Sequence, residues 1–255
     1  MTDIKIGSFN TRGLNDDMKR REVFTWLRNK KLDIYFLQET KCTKEKHNLW
    51  ESEWGYTTIF DSNDTASSGT IILFNNTFQF KIENIMKSGY GRYIIATITI
   101  SNNENILLCN IYAPNTDNTN VLEEIFDKLD DFSDMKWIIG GDMNMCMEEI
   151  DKKYGRPYNS AHQKSRKVLK DKLSEYNLID TFRTIHPELC RYTWRKNNPK
   201  ILCRLDYFFT SLSILNITKK ICISSGYKSD HSFLTLQMEL NKIDRGPGCF
   251  KLPFF

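Results

Sequence analysis

In this sequence, polar side chains recur at the ends of short apolar runs. Asn10 closes the run in SFNTRGL and Glu39 the run in FLQETK. Tyr112 and Asn115 follow one in NIYAPN, and Asp142 and Asn144 follow another in IGGDMN. Asp206 lies inside one in CRLDYFF, and Asp230 and His231 precede the last in KSDHSFL. These residue types could hydrolyse a phosphodiester. A carboxylate with amide oxygens nearby is a hard oxygen site suited to Mg²⁺, which keeps waters and takes few protein ligands, and Glu39 is the foremost ligand candidate. Asp142 could orient or deprotonate the attacking water, with Asn144 holding it. The metal, Tyr112 and His231 could stabilise charge on a pentacovalent phosphorus. A buried Asp206 beside His231 would fix its tautomer and favour imidazolium, and Asp230 offers a second acidic group to the metal or to His231. Taken singly, an Asp or Asn after a strand is most often a turn former or helix N-cap, and a lone His or Tyr most often packs. Asp206 differs, because a buried carboxylate needs a partner. It is the recurrence at strand ends that points to one site, since such ends converge on one edge of a sheet.

The elements that would position these residues are legible as alternating patterns. IKIGSF (4–9), DIYFLQ (33–38), GTIILF (69–74), YIIATITI (93–100), ILLCNIY (106–112), KWIIGGD (136–142), RLDYFF (204–209) and SFLTLQM (232–238) read as strands. Several are almost continuously apolar, as strands covered on both faces are. Amphipathic helices fit 18–30, 119–131 and 162–176, which place Val23, Trp26 and Leu27, then Leu122, Ile125, Phe126 and Leu129, then Val168, Leu169 and Leu173 on single faces. FNNTF at 74–78 reads as a hairpin turn. Two packed, mostly antiparallel sheets with helices outside satisfy all these faces, so the expected fold is α/β, a four-layered sandwich. It occupies 1–240. The tail 241–255, whose RGPGCFKLPFF holds two glycines and two prolines, reads as the start of a linker to a downstream region.

With 255 residues, 40% of them hydrophobic, the chain can bury a core without disulfides or a structural metal. Its 7 cysteines lack any C-x-x-C spacing and sit in apolar runs, which suggests reduced residues in an intracellular protein. No apolar run approaches the roughly 18 residues of a membrane span, so no membrane partner is expected. The net charge of +4 conceals an asymmetry. Residues 1–150 hold 16 Lys/Arg against 23 Asp/Glu, whereas residues 151–200 hold 13 against 5. A basic segment beside an acidic half suits a polyanion-binding surface next to a metal-binding cluster, although a solvated helical face would count the same.

The ordered set SFN, QET, N-x-Y-A-P-N, GDMN, R-L-D-Y and SDH resembles the exonuclease–endonuclease–phosphatase superfamily of apurinic/apyrimidinic endonucleases, DNase I, retrotransposon endonucleases and Mg²⁺-dependent phosphatases. The resemblance covers residue 4 to about 240 and implies the DNase I-like sandwich. It implies Asn10 and Glu39 at the metal, with Asp230 a further candidate, Tyr112 at the scissile phosphate, Asp142 and Asn144 as the nucleophile-handling pair, and Asp206, Asp230 and His231 as the remaining acid and base groups. Which of them is the general base stays open. Mg²⁺ is the implied cofactor, with Mn²⁺ as substitute. NTRGLND and the RGPG-x-(aromatic)-K tail further resemble the endonuclease domain of LINE-type (non-LTR) retrotransposons. That branch implies nicking of double-stranded DNA to a 3′-hydroxyl and 5′-phosphate, fusion to a reverse transcriptase, target-primed reverse transcription and action in the nucleus. The alternatives are a repair endonuclease for abasic sites, a phosphatase and a non-catalytic nucleic-acid-binding module.

Recognition would come from around the cleft. TWRKNNPKILCR (193–204) reads as a basic turn between two strands, able to enter a minor groove and read its width. The expected DNA contacts are Asn115, Thr193, Arg195, Lys196, Asn197, Asn198, Lys200 and Arg204. An exposed loop of ordinary surface charge is the simpler reading of the same stretch.

Overall fold

The computed structural model describes residues 2–77, 79–100 and 103–240; the linker expected at 241–255 lies outside them. In chain order the first elements are β1 (Thr2–Asn10), α1 (Asp17–Lys30), β2 (Ile34–Gln38), α2 (His47–Trp54), β3 (Thr58–Asp61), β4 (Thr70–Phe74) and β5 (Phe80–Lys87). Next come β6 (Tyr93–Ile100), β7 (Glu104–Tyr112), α3 (Asn120–Leu129), β8 (Lys136–Asp142), β9 (Lys152–Lys153) and α4 (Gln163–Glu175). The last are β10 (Leu178–Asp180), α5 (Thr181–Ile185), β11 (Trp194–Lys196), β12 (Ile201–Cys203), β13 (Asp206–Ser211), α6 (Leu212–Asn216), β14 (Thr218–Ser224) and β15 (Phe233–Leu240).

Two six-stranded sheets form, ordered β14-β15-β1-β2-β4-β3 and β10-β13-β8-β7-β6-β5, with a small third sheet β11-β12-β9. Their inner faces interlock through Ile6, Phe36 and Ile72 on one side and Ile98, Leu108, Ile138 and Phe208 on the other. The outer face of the first sheet is sealed by Val23, Phe24 and Leu27 of α1 and Trp50 and Trp54 of α2. Leu122, Ile125 and Phe126 of α3 and Leu169 of α4 seal the second. This is the expected four-layered α/β sandwich, and it explains the continuously apolar strands.

Local chemistry fixes the helix entries and exits. The Asp16 side chain accepts from Lys19 N at 2.7 Å to cap α1, and Lys31 closes it in the left-handed region at φ 52°. Among the described residues, only β1–β2 and β7–β8 are parallel, and each pair is joined by a crossover carrying a helix, α1 or α3. Consequently the carboxyl ends of four strands face one edge. The antiparallel neighbours start there, as the pairing of Asp206 with Asp142 shows.

The turn expected at 74–78 is not a hairpin. β4 belongs to the first sheet and β5 to the second, so this stretch carries the chain from one layer to the other. Its Asn-rich composition marks a reversal but cannot say which strand the next one joins. Among the described residues, no helix is long and apolar enough to cross a membrane.

Candidate active site

The strand ends meet in a cleft of about 460 Å³ whose lining includes Asn10, Glu39, Tyr112, Asn115, Asp142, Asn144, Asp230 and His231. Asp206 lies behind it, fully buried at the start of β13. All the expected catalytic residues are therefore gathered at one edge.

Asp142 is the hub. Its Oδ2 accepts from Asn10 Nδ2 at 2.8 Å, and its Oδ1 accepts from the Asn144 backbone N–H at 2.8 Å. His231 Nε2 lies 3.9 Å from Oδ2, while His231 Nδ1 lies 2.9 Å from Asp206 Oδ2. Gly141 is required beside Asp142: at φ 136° its missing Cβ would stand 2.0 Å from the Ile111 carbonyl oxygen, so no side chain fits between β7 and β8 here.

Electrostatics separates the groups. Burial and the Asp206 charge push Asp142 up to about 7, despite the nearby imidazole and the two donated hydrogen bonds. Burial alone would lower His231, but Asp206 and then Asp142 outweigh it and raise it to about 9. From about pH 7 to 9 the pair is a carboxylate beside an imidazolium. Tyr112 is raised by burial and then by Glu39 and Asp142, so its phenol keeps its proton and can donate.

Glu39 and Asn144 both occupy the left-handed region, at φ 49° and 52°. Asn tolerates this; for Glu it is strain, of the kind held at functional sites by surrounding bonds. Gly13 N donates to Glu39 O at 2.7 Å and fixes that turn. The Glu39 carboxylate, 21% exposed, has Lys41 Nζ at 3.3 Å, and Asn10 Oδ1 accepts only the Arg12 backbone N–H. A carboxylate and an amide oxygen opening on one cleft fit a hard divalent cation. Ligand atoms of Asp142, Asp206 and His231 also lie within 4.8 Å of one another. An imidazolium has no lone pair for a metal, however, and His231 Nδ1 is committed to Asp206, so these three suit proton handling better.

The basic turn forms as expected: β11 and β12 pair, and Arg195, Lys196, Asn197, Asn198 and Lys200 are exposed around its tip. Two assignments within it are corrected. Thr193 is fully buried, and its hydroxyl accepts from Leu205 N at 2.9 Å and Asp206 N at 3.1 Å, holding the Asp206 backbone rather than meeting DNA. Arg204 is also fully buried. Its guanidinium bonds Asp151 at 2.7 and 2.9 Å and Asp180 at 2.6 and 3.0 Å. Thr193→Val should therefore strip two buried N–H groups of their acceptor and cost about 1–3 kcal/mol in urea denaturation. Affinity for a DNA duplex should stay unchanged; weaker binding at unaltered stability would restore Thr193 as a DNA contact.

Four positioning groups escaped the sequence reading. Ser229 Oγ donates to Asn10 O at 2.8 Å and accepts from His231 N at 3.1 Å. Trp194 Nε1 donates to Asp230 Oδ2 at 3.1 Å. Gln38 Nε2 donates to Asn110 Oδ1 at 2.8 Å, and Asn110 Nδ2 donates to Leu37 O and Ile71 O, bolting the sheets together beneath the cleft. The position of Gln38 and Asn110 inside apolar strands, next to Glu39 and near Tyr112, was the available signal.

A four-layered sandwich with a carboxylate–imidazole–carboxylate row at one edge defines a class of phosphoester hydrolases. Residues 7–231 match the Endonuclease/Exonuclease/phosphatase family, and the chain belongs to it. It is 26% identical over 242 residues to a transposon TX1 uncharacterized 149 kDa protein of Xenopus laevis, covering 93% of this chain but 18% of that protein. It is 24% identical over 258 residues to an exodeoxyribonuclease of Bacillus subtilis (strain 168), covering 89% of this chain and 96% of the relative. Among solved structures, an AP endonuclease from Leishmania major superposes with a TM-score of 0.80 at 17% identity, over 94% of this chain and 88% of that one. The transposon relative agrees with the resemblance carried by NTRGLND, and the superposition with the expected sandwich.

Proposed function

We propose that this chain is a divalent-metal-dependent endonuclease that nicks one strand of duplex DNA, leaving a 3′-hydroxyl and a 5′-phosphate. The observation that carries the reading is the row Asp206–His231–Asp142, aligned beside Asn10 and Glu39 in a single open cleft. Asp142, as carboxylate, takes the proton of the attacking water, and Asn144 helps hold that water. The water oxygen bonds to phosphorus as the bond from phosphorus to the 3′ oxygen breaks, and the departing 3′ oxygen takes a proton from solvent to become the hydroxyl. The His231 imidazolium, kept charged by Asp206, and the Tyr112 phenol donate hydrogen bonds to the phosphoryl oxygens as charge builds there. Glu39 and Asn10, with Asp230 at the margin, would hold Mg²⁺ (or Mn²⁺), which when bound supplies Lewis-acid stabilisation of the same charge. The exposed hairpin tip (196–200) and Asn115 grip the duplex. The transposon relative and the NTRGLND motif support a retroelement setting for this activity, in which the new 3′-hydroxyl would prime reverse transcription by a fused polymerase on nuclear DNA.

The test is nicking of supercoiled plasmid with Mg²⁺ and with EDTA, beside an oligonucleotide duplex carrying one abasic site. Open circles that accumulate only with Mg²⁺ support the proposal. An untouched plasmid with rapid abasic cleavage would move the chain to the repair enzymes, and inactivity on both would turn attention to phosphatase substrates.

A further inference from the structure

Three consecutive residues at the root of the basic hairpin grip the loop that carries Asp230 and His231. Thr193 O accepts from Ser232 N at 2.6 Å. Trp194 forms an antiparallel bridge with His231. Arg195 donates to Ser232 Oγ at 3.0 Å. The Trp194 indole adds a side-chain bond from the hairpin root to an acidic group of the site, Nε1 to Asp230 Oδ2 at 3.1 Å. Arg12 also approaches that oxygen, at 3.5 Å and 63% exposed. A solvated guanidinium at that distance holds a carboxylate weakly. An indole on a strand root does not wander, because its ring is half-buried in the cleft wall and its backbone is tied to His231.

We propose that Trp194 is a positioning residue: its indole N–H fixes the rotamer of Asp230, and its backbone bridge sets the height of His231 against Asp206 and Asp142. The inference rests on the nuclease reading above for its kinetic consequence, but the contact itself does not. The same root also holds Asp206, since Thr193 Oγ1 accepts from its backbone N–H. The hairpin root is therefore tied both to Asp206 and to the loop of Asp230 and His231, so it contributes to catalytic geometry as well as carrying a DNA-reading tip. A Trp that merely walled the cleft would act through its ring. Loss of the N–H alone separates the two roles.

Trp194→Phe keeps an aromatic ring and removes the donor. With plasmid substrate and Mg²⁺, kcat should fall roughly ten- to a hundredfold, the range of a hydrogen bond to a charged group, with KM little changed. The independent readout is the indole N–H resonance of Trp194, identified among the 5 tryptophans by its loss in Trp194→Phe. It should shift when Asp230→Asn replaces the charged acceptor, and again when Mg²⁺ is titrated into the wild type. A Trp194 resonance indifferent to Asp230→Asn, or a Trp194→Phe enzyme with wild-type kcat, overturns the proposal. If the wild type cuts no DNA, the nuclease reading falls, and the indole resonance alone then decides whether Trp194 holds Asp230.

Discussion

Asp142→Ala should leave a folded protein whose plasmid-nicking rate is lowered about 10³-fold, within the 10²–10⁴ range that removal of a positioned base costs. The fold should survive because the side chain is not a structural asset. It is a carboxylate buried to 1% exposure, with its pKa pushed to about 7, so its charge is disfavoured where it sits. The partners it releases, Asn10 Nδ2 and Asn144 N, belong to residues that line the cleft, so water entering the vacated space can replace it. The companion variant His231→Ala should lose a similar factor. The double variant should lose no more than about tenfold beyond the worse single, because Asp142 and His231 act as one unit 3.9 Å apart. Full multiplication of the two defects would mean they serve separate steps. An Asp142→Ala enzyme that nicks at the wild-type rate, with its thermal midpoint retained, would remove Asp142 from the catalytic machinery.

The legibility of this site followed from topology. A polar residue that ends an apolar strand can be seen in the sequence, and parallel strands with helical crossovers send such ends to the same edge. Asn10, Glu39, Tyr112 and Asp142 could therefore be grouped before any coordinates. Asp206 betrayed itself by sitting in an apolar run. Side-chain direction was not legible. Thr193 and Arg204 border a basic exposed turn, and nothing local distinguishes them from Arg195 and Lys200. What buries Arg204 are carboxylates 53 and 24 positions away, Asp151 and Asp180. The same fact bears on the charge reading. Arg204 and Arg183 turn two of the five acidic residues in 151–200 inward, but Arg183 and the buried Arg166 leave the surface with them, so the outward face of that segment is as positive as its count. Helix α2 carried a signal that went unread, Trp50 and Trp54 four apart in HNLWESEW, the spacing of one helical face. Layer membership was beyond reach at 74–78, since a turn fixes where the chain reverses and leaves open which sheet it enters.

Arg204→Ala should be the most destabilising single change in the basic segment, by about 3–5 kcal/mol, because it strands buried carboxylates. Asp151 is fully buried and Asp180 largely so. The guanidinium meets both at once while stacking 4.4 Å over the Tyr207 ring. Burial opposes its charge, yet Asp180, by Coulombic attraction and a hydrogen bond, and Asp151, by a hydrogen bond, hold it protonated more firmly than usual. Arg183 shares Asp151 at 2.7 Å and would remain, but it cannot reach both acids in the same fork. Arg204→Lys should rescue little, since a point charge lacks the paired N–H geometry that two carboxylates need. A loss of this size is a large part of the 5–15 kcal/mol that typical domains possess. Urea denaturation reads it directly. The deficit should narrow as pH falls, because protonation is how an unpaired buried carboxylate sheds its charge. A deficit independent of pH would mean that lost packing against Tyr207 dominates. A variant as stable as wild type, with weakened and less salt-sensitive DNA binding, would return Arg204 to the nucleic-acid interface.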